Sequence, residues 1–172
     1  RQMCIRDSSI NDKPLILGKY KGEKWLNAHE TVASKILIEN KRLSLRQHTV
    51  KSSNDKVIDN WLWIDINNHI NVLVTTMIDD KEVFIIFEQT KHGYNGLSYA
   101  PIGGHIDPED DGDALKASKR ELLEELGMKS NEWINLGKYK SDVNRRAGFC
   151  FTFLARNACL LYTSDAADDQ CC

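Results

Sequence analysis

Three glutamates are spaced so that a helix would place them side by side. In the segment RELLEEL, Glu121, Glu124 and Glu125 stand at i, i+3 and i+4, which brings helical side chains onto one face. Like charges at this spacing repel and weaken an isolated helix by roughly a few tenths of a kcal/mol per pair. Either water and nearby lysines screen them, or a cation binds there. Carboxylates without histidine or thiolate partners form a hard oxygen site that suits Mg²⁺ or Mn²⁺.

Two glycines and an acidic loop precede this helix. Gly103 and Gly104 lie near the end of the extended segment SYAPIGGHI, and DPEDDGD then leads into the helix. Glycine lets the main chain approach a ligand and present N–H groups to anionic oxygen, and a divalent ion can neutralise phosphate and activate water. The pattern indicates hydrolysis of a phosphate ester or phosphoanhydride. On charge alone, a mixed-charge helix is more often a solvated face.

The segment GGHIDPEDDGDALKASKRELLEELGM resembles the box of the Nudix hydrolases, G-x5-E-x7-R-E-U-x-E-E-x-G-U, where U is aliphatic. Every specified position from Arg120 to Met128 matches, and Gly104 matches the opening glycine. Sixteen positions separate Gly104 from Arg120 where the family has fourteen, so Gly112 stands where the box glutamate is expected. The acids that could replace this glutamate are Glu109, Asp110, Asp111 and Asp113.

The resemblance implies a role for each matching residue. Catalytic Mg²⁺, or Mn²⁺ in its place, would be bound by Glu124 and Glu125. Together with Glu121 these residues are called the box glutamates. Glu121 would be a further ligand or lie near the attacking water, and Arg120 would orient the glutamates by ion pairing. Gly103 and Gly104 would shape the loop, with a carbonyl group such as that of Gly104 offered to the metal. The family cleaves nucleoside diphosphates linked to another moiety.

The elements that must position this site begin with two hairpins. LSLRQHTVK and KVIDNWLWI flank the polar turn SSND and predict the first hairpin, because both are rich in β-branched and aromatic residues. INVLVTTM and EVFIIFEQT predict the second. Their apolar runs VLV and VFIIF predict central strands buried on both faces.

The remaining segments complete one α/β unit. KHGYNG predicts a loop with an Asn-Gly turn, EWINLGKYK and GFCFTFLA predict two further strands, and TVASKILIEN fits either a helix or a strand. We predict the strongest helix from Asp113 to Leu126, closed by Gly127. The fold class is therefore α/β (α+β), and the family resemblance implies a Nudix-type α/β/α sandwich around a mixed sheet.

The first hairpin resembles the N-terminal β-module of ADP-ribose and ADP-sugar pyrophosphatases. This implies ADP-ribose or an ADP-sugar as substrate, and a homodimer and part of an adenine pocket built by the module. Trp61 and Trp63 share one face of their strand, so either could stack on a base, although strand aromatics mostly pack in a core or interface. Arg145 and Arg146 could hold a phosphate or belong to an ordinary solvated turn. His105, after the glycines, could line the site or lie on the surface.

Both ends of the chain lack helical or strand periodicity. Their back-translations are reverse complements over almost their whole length, which resembles a sequencing adapter read as coding sequence. We therefore exclude residues 1–8 and 159–172 from fold reasoning, genuine disordered tails being the alternative. The expected organisation is an N-terminal segment with the β-module over residues 9–66 and a C-terminally truncated catalytic domain over residues 67–158.

Composition excludes several classes of function. The formal charge is −2 for the whole chain and zero over residues 9–158, so nothing indicates binding to nucleic acid or an anionic membrane. Cys150 is the one cysteine of that range, which supports neither a disulfide framework nor a zinc site. No apolar run approaches the about 20 residues of a membrane span, and a cytoplasmic location is expected.

The alternative to an enzyme is a nucleotide-binding sensor of Nudix fold, which Gly112 and the lengthened loop favour.

Overall fold

The computed structural model describes residues 30–52 and 55–161. Residues 1–8 and 162–172, which we expected to be adapter sequence, lie outside these ranges. The first sheet is antiparallel, in the order β1-β2-β3, and consists of β1 (Glu30–Glu39), β2 (Leu43–Lys51) and β3 (Val57–Ile66). The first predicted hairpin is confirmed as β2–β3, and the segment that fitted helix or strand is β1.

The other strands follow in chain order: β4 (His69–Ile78), β5 (Lys81–Ile85), β6 (Phe87–Lys91), β7 (Tyr94–Ala100), β8 (Ile102–His105), β9 (Met128–Lys129), β10 (Glu132–Lys140), β11 (Phe149–Arg156) and β12 (Cys159–Leu160). The main sheet has the order β10-β11-β4-β5, and β8 also pairs with β4. Since β4 runs parallel to β11 and antiparallel to β5 and β8, the sheet is mixed, as predicted. The second hairpin is confirmed as β4–β5, and its turn residues Asp79 and Asp80 both have positive φ, as tight hairpin turns require.

Two local predictions are wrong. The run VFIIF is not a central strand, because β5 lies at the end of the main sheet and Phe84 is 60% exposed. The segment KHGYNG is not one loop, because β6 and β7 pair on either side of His92 and Gly93. Asn95 and Gly96 therefore lie inside β7 rather than in a turn. In the first case strand pairing determines the position in the sheet, and in the second it determines the conformation; the local residue pattern determines neither.

The helix α1 (Ala114–Leu126) covers one face of the main sheet. The side chain of Asp113 accepts hydrogen bonds from the first-turn N–H groups of Leu115 and Lys116, and Gly127 ends the helix at φ +62°. Leu122 is almost fully buried and Leu126 packs against the same core, together with the inward residues of β4: Ile70, Val72 and Val74. This confirms the predicted helix, and the α+β class with it.

The second helical layer of the predicted sandwich does not occur among the residues described. There, α1 is the one α-helix, and its thirteen largely polar residues are too few to reach across a bilayer. The short elements after it extend the core. Met128 pairs with Leu160 between β9 and β12, and the Leu161 N–H donates to the Gly127 carbonyl at 2.9 Å.

Candidate active site

The guanidinium of Arg120 is the centre of the candidate site. Its Nη1 donates to one carboxylate oxygen each of Glu121 and Glu124, both at 3.0 Å. Nε and Nη2 donate to the two carboxylate oxygens of Asp110, at 3.2 and 3.0 Å, and Nη2 also donates to the His105 carbonyl at 3.1 Å. The hydrogen bond to Asp110 is the main cause of a raised pKa for Arg120. The arginine is therefore a fixed cation that holds acidic residues from the loop and from the helix together.

Asp110 supplies the acid that the sequence lacked at Gly112. Its side chain is only 1% exposed, and it also accepts the backbone N–H of Asp107 at 2.8 Å. The hydrogen bonds from Arg120 are the largest cause of its lowered pKa. Asp110 is the sixth residue after Gly104, which is the distance from glycine to glutamate in the Nudix pattern. The two extra residues thus follow Asp110, and counting forward from the glycine instead of back from the arginine would have found it.

One of the box glutamates, Glu121, lies against Gly104 of β8. A Cβ atom added at Gly104 would come within 2.6 Å of Glu121 Cγ and closer still to its carboxyl group, so the packing of Glu121 requires glycine here. Burial is the main cause of a raised pKa for Glu125, followed by repulsion from Glu121; Lys91 acts in the opposite direction. The helix therefore brings the glutamates onto one face, as the spacing predicted.

The donors of this cluster fit a hard divalent cation. They are carboxylate oxygens, and repulsion from Glu121 and Glu124 adds to burial in raising the pKa of Glu125. Two of the three carboxylates, those of Glu121 and Glu124, are turned towards Arg120. Accordingly, within the described ranges no three acidic, histidine or cysteine side chains are grouped to hold one ion. A cation would compete with Arg120 for these oxygens and would relieve the repulsion at Glu125.

The tryptophans predicted to bind substrate contact another part of the chain. The indole N–H of Trp61 donates to the backbone carbonyl of Asn144 at 2.9 Å. The ring of Trp63 is stacked with His48, with centroids 5.0 Å apart, and the guanidinium of Arg146 lies 5.2 Å from its centroid. These contacts join the N-terminal sheet to the loop between β10 and β11. They agree with the packing alternative, and base stacking stays a prediction.

Arg145 and Gly103 are placed differently from the box residues. The Arg145 guanidinium donates to the Asp142 carboxylate at 3.1 Å, and its backbone carbonyl accepts from the N–H of Ile64 in β3. A Cβ at Gly103 would lie 3.4 Å from Asn71 Oδ1, an ordinary contact, so space does not require glycine at this position. Substrate binding by Arg145 and Gly103 stays a prediction.

Comparison with known proteins agrees with the fold. A solved ADP compounds hydrolase is similar to this chain with a TM-score of 0.62 and 17% sequence identity, over 84% of this chain and 76% of that one. No family model matches the sequence, and no curated protein matches it significantly. At this identity the likeness bears on the fold alone, and it confirms the Nudix-type α+β architecture inferred from the box.

Proposed function

We propose that this chain is a metal-dependent Nudix-type pyrophosphohydrolase that cleaves a nucleoside diphosphate linked to another moiety, with ADP-ribose or an ADP-sugar as the favoured substrate. The observation that carries this proposal is the pair Glu121 and Glu124 held by Arg120, with Glu121 also packed against Gly104. The similar fold of a protein named for the hydrolysis of ADP compounds supports it.

The residues of the site divide into ligands and supports. The box glutamates would hold Mg²⁺ or Mn²⁺, which when bound supplies charge neutralisation for the diphosphate and activation of water. Glu121 is kept in one orientation by Arg120 and Gly104, so its carboxylate is a fixed acceptor close to the site of attack. Arg120 is occupied by protein acceptors on both sides and acts as a positioning residue.

The rival function is a nucleotide sensor that binds without turnover. The lengthened loop and Gly112 favoured this rival, because Gly112 stands where the box glutamate is expected. Asp110 makes the buried ion pair with Arg120 in place of that glutamate. The two inserted residues therefore leave Arg120 in position to hold Glu121 and Glu124. The enzyme is therefore the better reading of the site.

Hydrolysis is tested with the full chain, ADP-ribose and Mg²⁺, by chromatographic detection of AMP and ribose 5-phosphate. The Glu124→Gln change removes charge and keeps shape, so we expect kcat to fall at least about a hundredfold with an unchanged thermal midpoint. Glu39→Gln, at an exposed glutamate of β1, is the matched control and should keep full activity. Absence of AMP from ADP-ribose and from ADP-sugars, with binding retained, would support the sensor instead.

We further propose a homodimer formed through the N-terminal sheet. Among the described residues β1 is an edge strand, and it exposes four large apolar side chains, those of Val32, Ile36, Leu37 and Ile38. Exposed apolar surface on an edge strand is commonly covered by a partner. Sedimentation equilibrium of the full chain gives the mass, and a monomer at all concentrations would exclude the dimer.

A further inference from the structure

A cavity of about 670 Å³ opens between the N-terminal sheet and the loop after β8. Its polar and charged lining consists of Lys41, Arg42, Asn67, Asn68, His105 and Asp107. The volume lies within the range of small-molecule sites. Its walls come from both parts of the chain, the β1–β2 turn on one side and the loop of the Nudix box on the other.

The cavity adjoins the box glutamates through one side chain. The Nη2 atom of Arg120 donates to the His105 carbonyl at 3.1 Å and lies 3.7 Å from the carboxylate of Asp107, and both of these residues line the cavity. The Nη1 atom of the same guanidinium contacts two of the box glutamates. Only the width of a guanidinium therefore separates the cavity wall from the glutamates. A ligand that binds the glutamates through its diphosphate would have to pass beside the Arg120 guanidinium to enter the cavity.

The charges around the cavity favour an anionic group. Lys41 and Arg42 are both exposed, and within the described ranges no ion pair engages either of them. Asn40 holds their turn in place, because its side-chain oxygen accepts the N–H groups of Arg42 and Leu43 at 2.8 and 2.9 Å. Asp107, the acidic residue of the lining, belongs to the loop after β8 and lies 3.7 Å from Arg120. The cavity thus presents two uncompensated cations on an ordered turn.

We propose that this cavity receives the moiety linked to the nucleoside diphosphate, and that Lys41 and Arg42 select moieties that carry a phosphate of their own. This rests on the proposed function and narrows its substrate class. A phosphate monoester suits such a pair of residues, since arginine can donate two parallel hydrogen bonds and lysine adds a point charge. The N-terminal sheet would then contribute to specificity and not only to assembly.

Two ligands that differ by one phosphate test this selection. ADP-ribose and ADP-ribose 1″-phosphate share the diphosphate, and only the latter has a phosphate on its distal ribose. With wild-type chain and Mg²⁺, we expect KM to be about tenfold lower for the phosphorylated ligand. The double variant Lys41→Gln/Arg42→Gln should abolish this difference, so that KM becomes the same for the two ligands.

The matched control is Lys35→Gln/Lys56→Gln, which removes the same charge from two exposed positions, one in β1 and one just before β3. It should keep the tenfold preference. Equal KM values for the two ligands with wild-type chain, or an equal loss for both in the Lys41/Arg42 variant, would overturn the assignment.

Calorimetric titration of Glu124→Gln with both ligands measures binding without turnover. If the wild-type chain hydrolysed neither ligand and the calorimetric preference still depended on Lys41 and Arg42, the proposed hydrolysis would be rejected and the cavity assignment supported. Hydrolysis of both ligands with equal KM values would support the proposed hydrolysis and reject the cavity assignment. If the cations act through charge, the preference should also fall as KCl concentration rises.

Discussion

Replacing Asp110 with asparagine removes one charge from the candidate site and changes almost no volume. The carboxylate accepts two hydrogen bonds from Arg120, at 3.2 and 3.0 Å, and one from the backbone N–H of Asp107, at 2.8 Å. Asparagine keeps one acceptor oxygen and turns its NH₂ group towards one of these donors. At least one buried donor therefore loses its acceptor.

The expected loss can be bounded from the contacts. Removal of one partner of a buried ion pair costs about 3–5 kcal/mol. The cost should be lower here, because Arg120 is 16% exposed and keeps its hydrogen bonds to Glu121, Glu124 and the His105 carbonyl. We expect the free energy of unfolding to fall by about 2–3 kcal/mol, which for a domain of this size lowers the thermal midpoint by roughly 4–10 °C.

Urea unfolding followed by tryptophan fluorescence measures this loss, with Asp111→Asn as the control. Asp111 is the next residue, its side chain is 82% exposed, and it pairs with Lys116 at the surface. The same chemical change there should cost less than about 0.5 kcal/mol. If the two variants were equally stable, Asp110 would not support the site as described.

The loss should also depend on pH with a defined sign. Hydrogen bonds from Arg120 lower the pKa of Asp110 in the folded chain, so its carboxylate adds stability that is fully present above the unfolded-state pKa of about 4. That stability is lost as the pH falls through the lower folded-state value. The difference between wild type and Asp110→Asn should thus be constant between about pH 5 and 7 and shrink below about pH 4. An undiminished difference in acid would show that the ion pair is not its source.

Two further substitutions test the packing around the site. Gly104→Ala should lower kcat/KM by about tenfold or more, because the new methyl group would displace the Glu121 carboxylate; Gly93→Ala, where a Cβ meets nothing within 4 Å, should not change it. Trp61→Phe should lower the free energy of unfolding by about 1 kcal/mol, since the Asn144 carbonyl loses its donor, and an unchanged urea midpoint would contradict that contact.

Several parts of the fold could be predicted because their causes are local. The helix α1 follows from its apolar spacing, from Asp113 at its start and from Gly127 at its end. The hairpin β4–β5 follows from β-rich segments on either side of a turn. The errors arose where the position of a segment depends on the strands that pair with it. VFIIF is as apolar as a central strand, yet in the part of the chain that the structure describes β5 has a strand neighbour on one side only, and it exposes Phe84.

The sequence by itself determined which residues share a helix face, and hence that the box glutamates stand together with Arg120 beside them. Only the tertiary structure decided what holds that group in place. Asp110 and the His105 carbonyl reach Arg120 because the chain reverses between β8 and α1, and Trp61 meets Asn144 across 83 positions of sequence. Such contacts depend on how separate elements pack, which the local order of residues does not give; only Asp110 had a sequence signal, its position six residues after Gly104.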